Sequence, residues 1–251
     1  MDFEFRWLNQ LHFYWLRVFV AWNILGPMND INLPGTTAIF SPGTRILFQG
    51  DSITDCNRDR NGAAGRELGE GYPFLIAAAC TGSSAGGSPV FFNRGISGNK
   101  VADLAARWRK DALDLRPDVL SILIGVNDLW RHFDHGDALD FETITNTYDQ
   151  LLEDAKAPSP GLKLVLCEPF IMRGSATEKQ WTEWQPQLIR MQAVVGQLAQ
   201  KHVAKFVRFQ QMFNAACQHA PALHWLHDGV HPSAAGHRLM AEEWLKTVSS
   251  R

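Results

Sequence analysis

No apolar run in this chain is long enough to cross a bilayer. In the N-terminal region the longest unbroken stretch extends only from Val18 to Trp22, whereas a spanning helix needs roughly 20 apolar residues. The start also lacks the marks of a signal peptide. Asp2 and Glu4 interrupt any basic opening, and no small-residue cleavage site follows Trp22. Charge of one sign is missing too: 24 Lys and Arg stand against 26 Asp and Glu, a formal net charge of -2. That balance argues against a nucleic-acid or membrane-surface partner, since either favours a basic face. Cysteine is sparse. Cys56, Cys80, Cys167 and Cys217 form no C-x-x-C pair, and a chain of this size needs no staples. They read as reduced thiols, which fits a cytoplasmic protein. No G-x-S-x-G follows a predicted strand, and no G-x-G-x-x-G follows the first one. The usual α/β-hydrolase elbow and a dinucleotide site are therefore not expected.

What is present begins with aromatics. Residues 1–27 hold Phe3, Phe5, Trp7, Phe13, Tyr14, Trp15, Phe19 and Trp22. Three readings fit them: a docking helix, a membrane-surface helix, or translated upstream sequence with the true start at Met28. Residues 1–42 are set apart on this basis as an N-terminal extension, with 43–251 as the folded domain. Hydrophobic residues make up 45% of the chain and charged residues 20%, the profile of a globular protein with one large core.

From Thr44 onward, short apolar runs alternate with longer amphipathic stretches. Strands are expected at Ile46–Phe48, Val90–Phe92, Val119–Ile124, Leu164–Leu166 and Lys205–Val207. The third is apolar except for Ser121, as expected where both faces of a sheet are covered. Helices are expected at Tyr72–Cys80, Val101–Leu115, Phe141–Ala155, Gln187–His202 and Ala234–Thr247. In the second of these, Val101, Leu104, Ala105, Trp108, Ala112 and Leu115 share one face. The alternation implies a parallel sheet with right-handed crossovers, hence a single three-layer α/β/α domain built on five strands. Ligands of such sheets bind beyond the carboxyl ends of the strands, so chemistry is to be sought just after each one.

Four segments stand out there. Gly50-Asp51-Ser52-Ile53-Thr54 follows the first strand, and Asn93-Arg94-Gly95-Ile96-Ser97-Gly98 follows the second. Gly125-Val126-Asn127-Asp128 follows the third, and Asp228-Gly229-Val230-His231-Pro232 precedes the last helix. Acyl transfer needs a nucleophile, a base, a group that orients the base, and donors for the oxyanion. Ser52 can supply the hydroxyl, and His231 can take its proton. Asp228, three residues earlier, can fix the histidine tautomer. The Ser52 N–H, the unobstructed N–H of Gly98 and the Asn127 amide can face the oxyanion.

These blocks, G-D-S, a glycine, G-x-N-D and D-x-x-H, resemble in kind and order those of the SGNH (GDSL-like) hydrolases, over about Arg45 to Trp244. The resemblance implies a flavodoxin-like sheet and a metal-free, cofactor-free hydrolysis. Ser52, Asp228 and His231 would form its catalytic triad, and Ser52, Gly98 and Asn127 its oxyanion hole. Asn93 to Asn99, Ala106-Arg107-Trp108, Gly125 to Arg131 and His231 to His237 look like the same stretches of bacterial intracellular acetylxylan esterases. That narrower resemblance implies deacetylation of xylo-oligosaccharides through an acyl-enzyme. Its partner would be a small-molecule or oligosaccharide ester, with no nucleic acid and no membrane; a homo-oligomer is left open.

Each residue also has a plainer reading. Ser52 could be a helix N-cap, Asn127 a turn residue, and Asp128 a support for its loop. Asp51 is expected to act beside the nucleophile as a partner at the substrate site. Gly95 could serve the turn alone. Trp130 could stack on a sugar at the pocket mouth or act as a lid, and Arg131 could meet substrate oxygens or an internal carboxylate. His227 is read as a pocket or surface residue, His237 as structural. His224, His227 and His231 could instead converge on zinc, although D-x-x-H already accounts for the last. Trp181 and Trp184 are placed in a loop after the fourth strand, where they could border the pocket or, the preferred reading, a subunit interface. The rival functions are a lipid or thioester hydrolase on the same scaffold, an inactive sugar-binding protein, and an assembly module anchored through residues 1–27.

Overall fold

Five strands pair in one all-parallel sheet of order β2-β1-β3-β4-β5. They are β1 Arg45–Gly50, β2 Val90–Asn93, β3 Val119–Leu123, β4 Lys163–Cys167 and β5 Lys205–Val207. The computed structural model describes residues 39–62, 65–81 and 87–250. The three readings of residues 1–27 lie outside the described residues, as does most of the extension assigned to 1–42.

The centre of the sheet explains the apolar runs of the sequence. Leu47 of β1 is paired with Phe92 on one side and Leu120 on the other. Ile46, Leu47, Phe48 and all of β3 are buried, because helices cover both faces. The helices are α1 Ser52–Asp55, α2 Tyr72–Cys80, α3 Val101–Asp111, α4 Val126–His135, α5 Phe141–Lys156, α6 Trp181–Lys201, α7 Phe209–Ala216, α8 Ala222–Trp225 and α9 Ala234–Ser249. On one side α9 packs against α2, α7 and α8; on the other α3 packs against α5, and α6 against α4 and α5. The result is three layers around one core.

Ser121 is the polar break in β3, and the fold uses it. Its hydroxyl is fully buried and accepts a 3.0 Å hydrogen bond from the indole N–H of Trp244 on α9. One polar pair thus ties the sheet to its last covering helix.

Two helices differ from the expectation by a turn or more. The helix expected over Val101–Leu115 ends at Asp111, and Leu113–Leu115 forms a separate 3-10 turn closed by Arg116 in the left-handed region (φ 46). The helix expected from Gln187 starts at Trp181 and contains Pro186 near its start. Trp181 and Trp184 are therefore helical, not in a loop. Helices α4, α7 and α8 were not expected; α4 begins directly at the motif that follows β3.

Candidate active site

The turn that carries Ser52 is tight because Gly50 allows it: a Cβ there would run into the Leu123 carbonyl oxygen and the Thr54 side chain. Asp51 caps α1, with Oδ1 accepting from the Ile53 N–H at 3.0 Å. The N-cap role considered for Ser52 thus belongs to Asp51, and Ser52 is the first helical residue. Its Oγ lies 2.9 Å from Nε2 of His231. Nδ1 of His231 lies 2.7 Å from Oδ2 of Asp228, while Oδ1 of Asp228 accepts the N–H groups of Val230 and His231, each at 2.8 Å. A Leu226–Pro232 bridge and the His227 N–H bonded to the His231 carbonyl at 2.8 Å close this segment. Residues 179 positions apart are so brought into one hydrogen-bonded line.

The charges follow from these contacts. The hydrogen bond to Asp228 raises the His231 pKa above its ordinary 6.5, against the opposing effect of burial; the charges of Asp228 and Asp51 add to the rise. Burial works against ionising Asp228, yet the hydrogen bonds from the His231 ring and from the two backbone N–H groups hold its carboxyl at about 2. With Asp228 ionised, Nδ1 of neutral His231 carries the proton and Nε2 faces Ser52 as an acceptor.

Gly98 adopts φ +83, a conformation that favours glycine, and its N–H has no acceptor among the described residues. Gly95 is the weaker choice because its N–H is taken by Asn93 Oδ1 at 2.9 Å. Asn127 is buried on the first turn of α4, and its Nδ2 donates to the Asn99 carbonyl at 3.1 Å. That bond orients the amide and leaves it a second N–H. Asp128 accepts from the Val101 N–H at the start of α3, a structural support, and burial pushes its pKa up to about 7.

Residues not assigned to the site from the sequence hold these loops in place. Asp55 Oδ2 accepts from the Ser97 N–H at 3.0 Å and hydroxyl at 2.9 Å, and pairs with Arg60. Arg107 donates to Asn99 Oδ1 at 2.8 Å, to the Arg94 carbonyl at 2.8 Å and to Gln49 Oε1 at 3.0 Å. The signal for Asp55 was its place one turn after Ser52; that for Arg107 was the Ala106-Arg107-Trp108 stretch, which did not foretell its five acceptors.

Trp130 lies beside the Ser52–His231–Asp228 line, its ring centroid 5.8 Å from that of His231. Arg131 shares the same helix, with a terminal nitrogen near Gly98. The Asp51 side chain is buried, which takes it away from the substrate side expected for it, whereas the His227 side chain is exposed. Trp184 is buried against Trp130 and Phe133, which corrects its placement at a subunit interface. Trp181 lines a groove with Leu188 and Ile189. His237 is buried and accepts from the Tyr72 N–H at 3.2 Å; burial lowers its pKa to about 4. Among the described residues the potential metal ligands that converge are Asp149, Glu153 and His202, not His224, His227 and His231. At that cluster Lys201 already bonds Asp149 at 2.6 Å, so an ion-pair network accounts for it.

The family model described as the GDSL-like Lipase/Acylhydrolase family matches residues 48–239, most of the chain. The chain belongs to this family. An acetylxylan esterase of Geobacillus stearothermophilus is 33% identical over 212 residues, which cover 82% of this chain and 94% of that protein. Among solved structures, a GDSL-like lipase from Parabacteroides merdae aligns with a TM-score of 0.75 at 42% identity, over 83% of this chain and 97% of that one. A single-residue variant of the Geobacillus acetyl xylan esterase aligns with a TM-score of 0.73 at 32% identity, over 84% and 96% of the two chains. Other structures of that enzyme are described as catalytic mutants, with a serine, an aspartate or a histidine replaced by alanine. The family hydrolase is a carboxylic ester hydrolase, and the all-parallel sheet flanked by helices is its fold. No helix among the described residues is long and apolar enough to cross a membrane.

Proposed function

We propose that this esterase removes acetyl groups from carbohydrates, of the acetylated xylo-oligosaccharide type, through an acyl-enzyme on Ser52. The observation that carries the reading is the unbroken line from Ser52 Oγ to His231 Nε2 and from His231 Nδ1 to Asp228, at 2.9 and 2.7 Å. Ser52 attacks the ester carbonyl as its proton passes to His231. Asp228 keeps the imidazolium oriented and balanced in charge. The N–H groups of Ser52 and Gly98 and the Asn127 amide receive the oxyanion. His231 then gives the proton to the departing sugar hydroxyl, and water activated by the same ring releases acetate. Likeness to the Geobacillus acetylxylan esterase, including the residue types replaced in its catalytic mutants, supports both the triad and the substrate class. Trp130, within reach of the His231 ring, offers an aromatic face to the sugar.

A series of p-nitrophenyl esters from acetate to octanoate tests the acyl preference, alongside acetate release from acetylated xylo-oligosaccharides. The expected result is highest kcat/KM for acetate, with about a tenfold or greater fall by butyrate, because a closed acyl pocket meets extra carbons with steric cost. A maximum at hexanoate or beyond would instead favour the lipid-hydrolase rival, since each buried methylene contributes about 0.8 kcal/mol in an open apolar groove.

A further inference from the structure

Residues three and four apart on a helix share a face, so Trp130 and Arg131 stand on the face of α4 that presents Asn127. The placement agrees: the Trp130 ring neighbours His231, and a terminal nitrogen of Arg131 lies 3.8 Å from where a Cβ on Gly98 would sit. Yet the guanidinium, on a half-buried residue, makes no hydrogen bond or ion pair with any described residue. Asp137, the carboxylate that its charge reaches, pairs with Lys100 at 2.8 Å, and Asp128, one turn earlier on α4, accepts from the Val101 N–H.

Arginine is charged at any working pH, and a cation drawn partly out of water without a hydrogen-bond partner is unfavourable. Here it stands at the rim of the oxyanion loop, beside the aromatic face proposed for the sugar. We propose that Arg131 determines specificity by binding a carboxylate on the sugar that loses its acetyl group, or on the sugar next to it. The preferred substrate class is then an acetylated uronic acid, or an acetylated oligosaccharide that carries a uronic acid close to the ester. This inference rests on the esterase reading. A planar guanidinium meets a carboxylate through two parallel hydrogen bonds, a contact that gives about tenfold to hundredfold in kcat/KM.

Two matched pairs of substrates test this with the full-length protein. The first is an acetylated methyl glucoside and the corresponding glucuronide, which differ only in carrying a hydroxymethyl group or a carboxylate. The second is an acetylated xylo-oligosaccharide without and with a glucuronic acid branch. The expected result is at least about a tenfold preference for the acidic member of one pair, read mainly in KM, and weaker at high salt. The pair that shows it tells which ring bears the carboxylate. Arg131→Gln should abolish the preference and Arg131→Lys should keep part of it. Equal kcat/KM within both wild-type pairs, or a preference that survives in folded Arg131→Gln, overturns the inference. Turnover of p-nitrophenyl acetate by the same preparation separates that outcome from failure of the esterase reading: turnover without preference removes only the role of Arg131, whereas no turnover of any ester removes both. If the glutamine variant does not fold, the wild-type pairs and the lysine variant still decide.

Discussion

At the scale of single residues, the site is governed by how Asp51, Asp228 and His231 share charge. In the proposed mechanism His231 must start neutral to accept the Ser52 proton, and its pKa is raised by the Asp228 hydrogen bond first. The kcat/KM for p-nitrophenyl acetate should therefore rise with pH through a midpoint above the ordinary 6.5. Asp51 adds to that rise through its charge, so Asp51→Asn should move the midpoint down while keeping an acceptor for the Ile53 N–H. Stability should respond as well. Asp51 is fully buried, its Oδ2 has no hydrogen-bond partner, and burial lifts its pKa from 3.8 to about 7. Between those values the folded chain keeps a proton that the unfolded chain has lost, so this group's contribution to stability falls as pH rises through the window. The gain in Tm of Asp51→Asn over the wild type should be larger at pH 8 than at pH 4.5. A pH-independent difference would deny that Asp51 is protonated in the fold.

Asn127 tests the oxyanion assignment at the same scale. Its amide is oriented by the Asn99 carbonyl, and a donor of this kind acts mainly in the transition state. Asn127→Ala should lower kcat by about 10²–10³ and change KM little. A variant with normal kcat would leave Asn127 as a support for the loop.

At the scale of elements, Ser121 shows what the alternation of the sequence could and could not convey. The run Val119–Ile124 reads as a central strand because helices bury both faces, but nothing local explains its serine. The reason sits 123 residues away, at the Trp244 indole. Ser121→Ala would strand that N–H in the core, at a cost of about 1–3 kcal/mol. A lowered Tm with unchanged kcat/KM is expected, and an unchanged Tm would show the bond to be dispensable. Helix α4 was missed for a related reason. Its first residues, Val126-Asn127-Asp128, carry motif side chains and read as a loop, whereas the fold starts a helix there so that Asn127, Trp130 and Arg131 share a face. Pro186 similarly hid the first turn of α6, and with it the burial of Trp184.

At the scale of the whole molecule, strand order places the chemistry. The chain passes from β1 to β2 on one side, then crosses to β3 on the other side of β1, and a crevice opens where the direction switches. Ser52, Gly98 and Asn127 follow these three strands, which is why their blocks could be picked out by position alone. The Asp228–His231 turn joins them from beyond β5, a meeting that spacing could not reveal and that only motif order suggested. Contacts formed across these segments, such as Arg131 beside Gly98 and the bonds from Arg107 to Asn99 and Arg94, depend on the fold and not on local pattern.

The measurement that bears most directly on the central claim is the turnover of p-nitrophenyl acetate by purified Ser52→Ala, with its fold checked by circular dichroism and Tm. The account predicts an intact fold and a loss on the order of 10⁶ in kcat, as for removal of a triad serine in other hydrolases. A folded Ser52→Ala protein that keeps a substantial part of its esterase activity would contradict it.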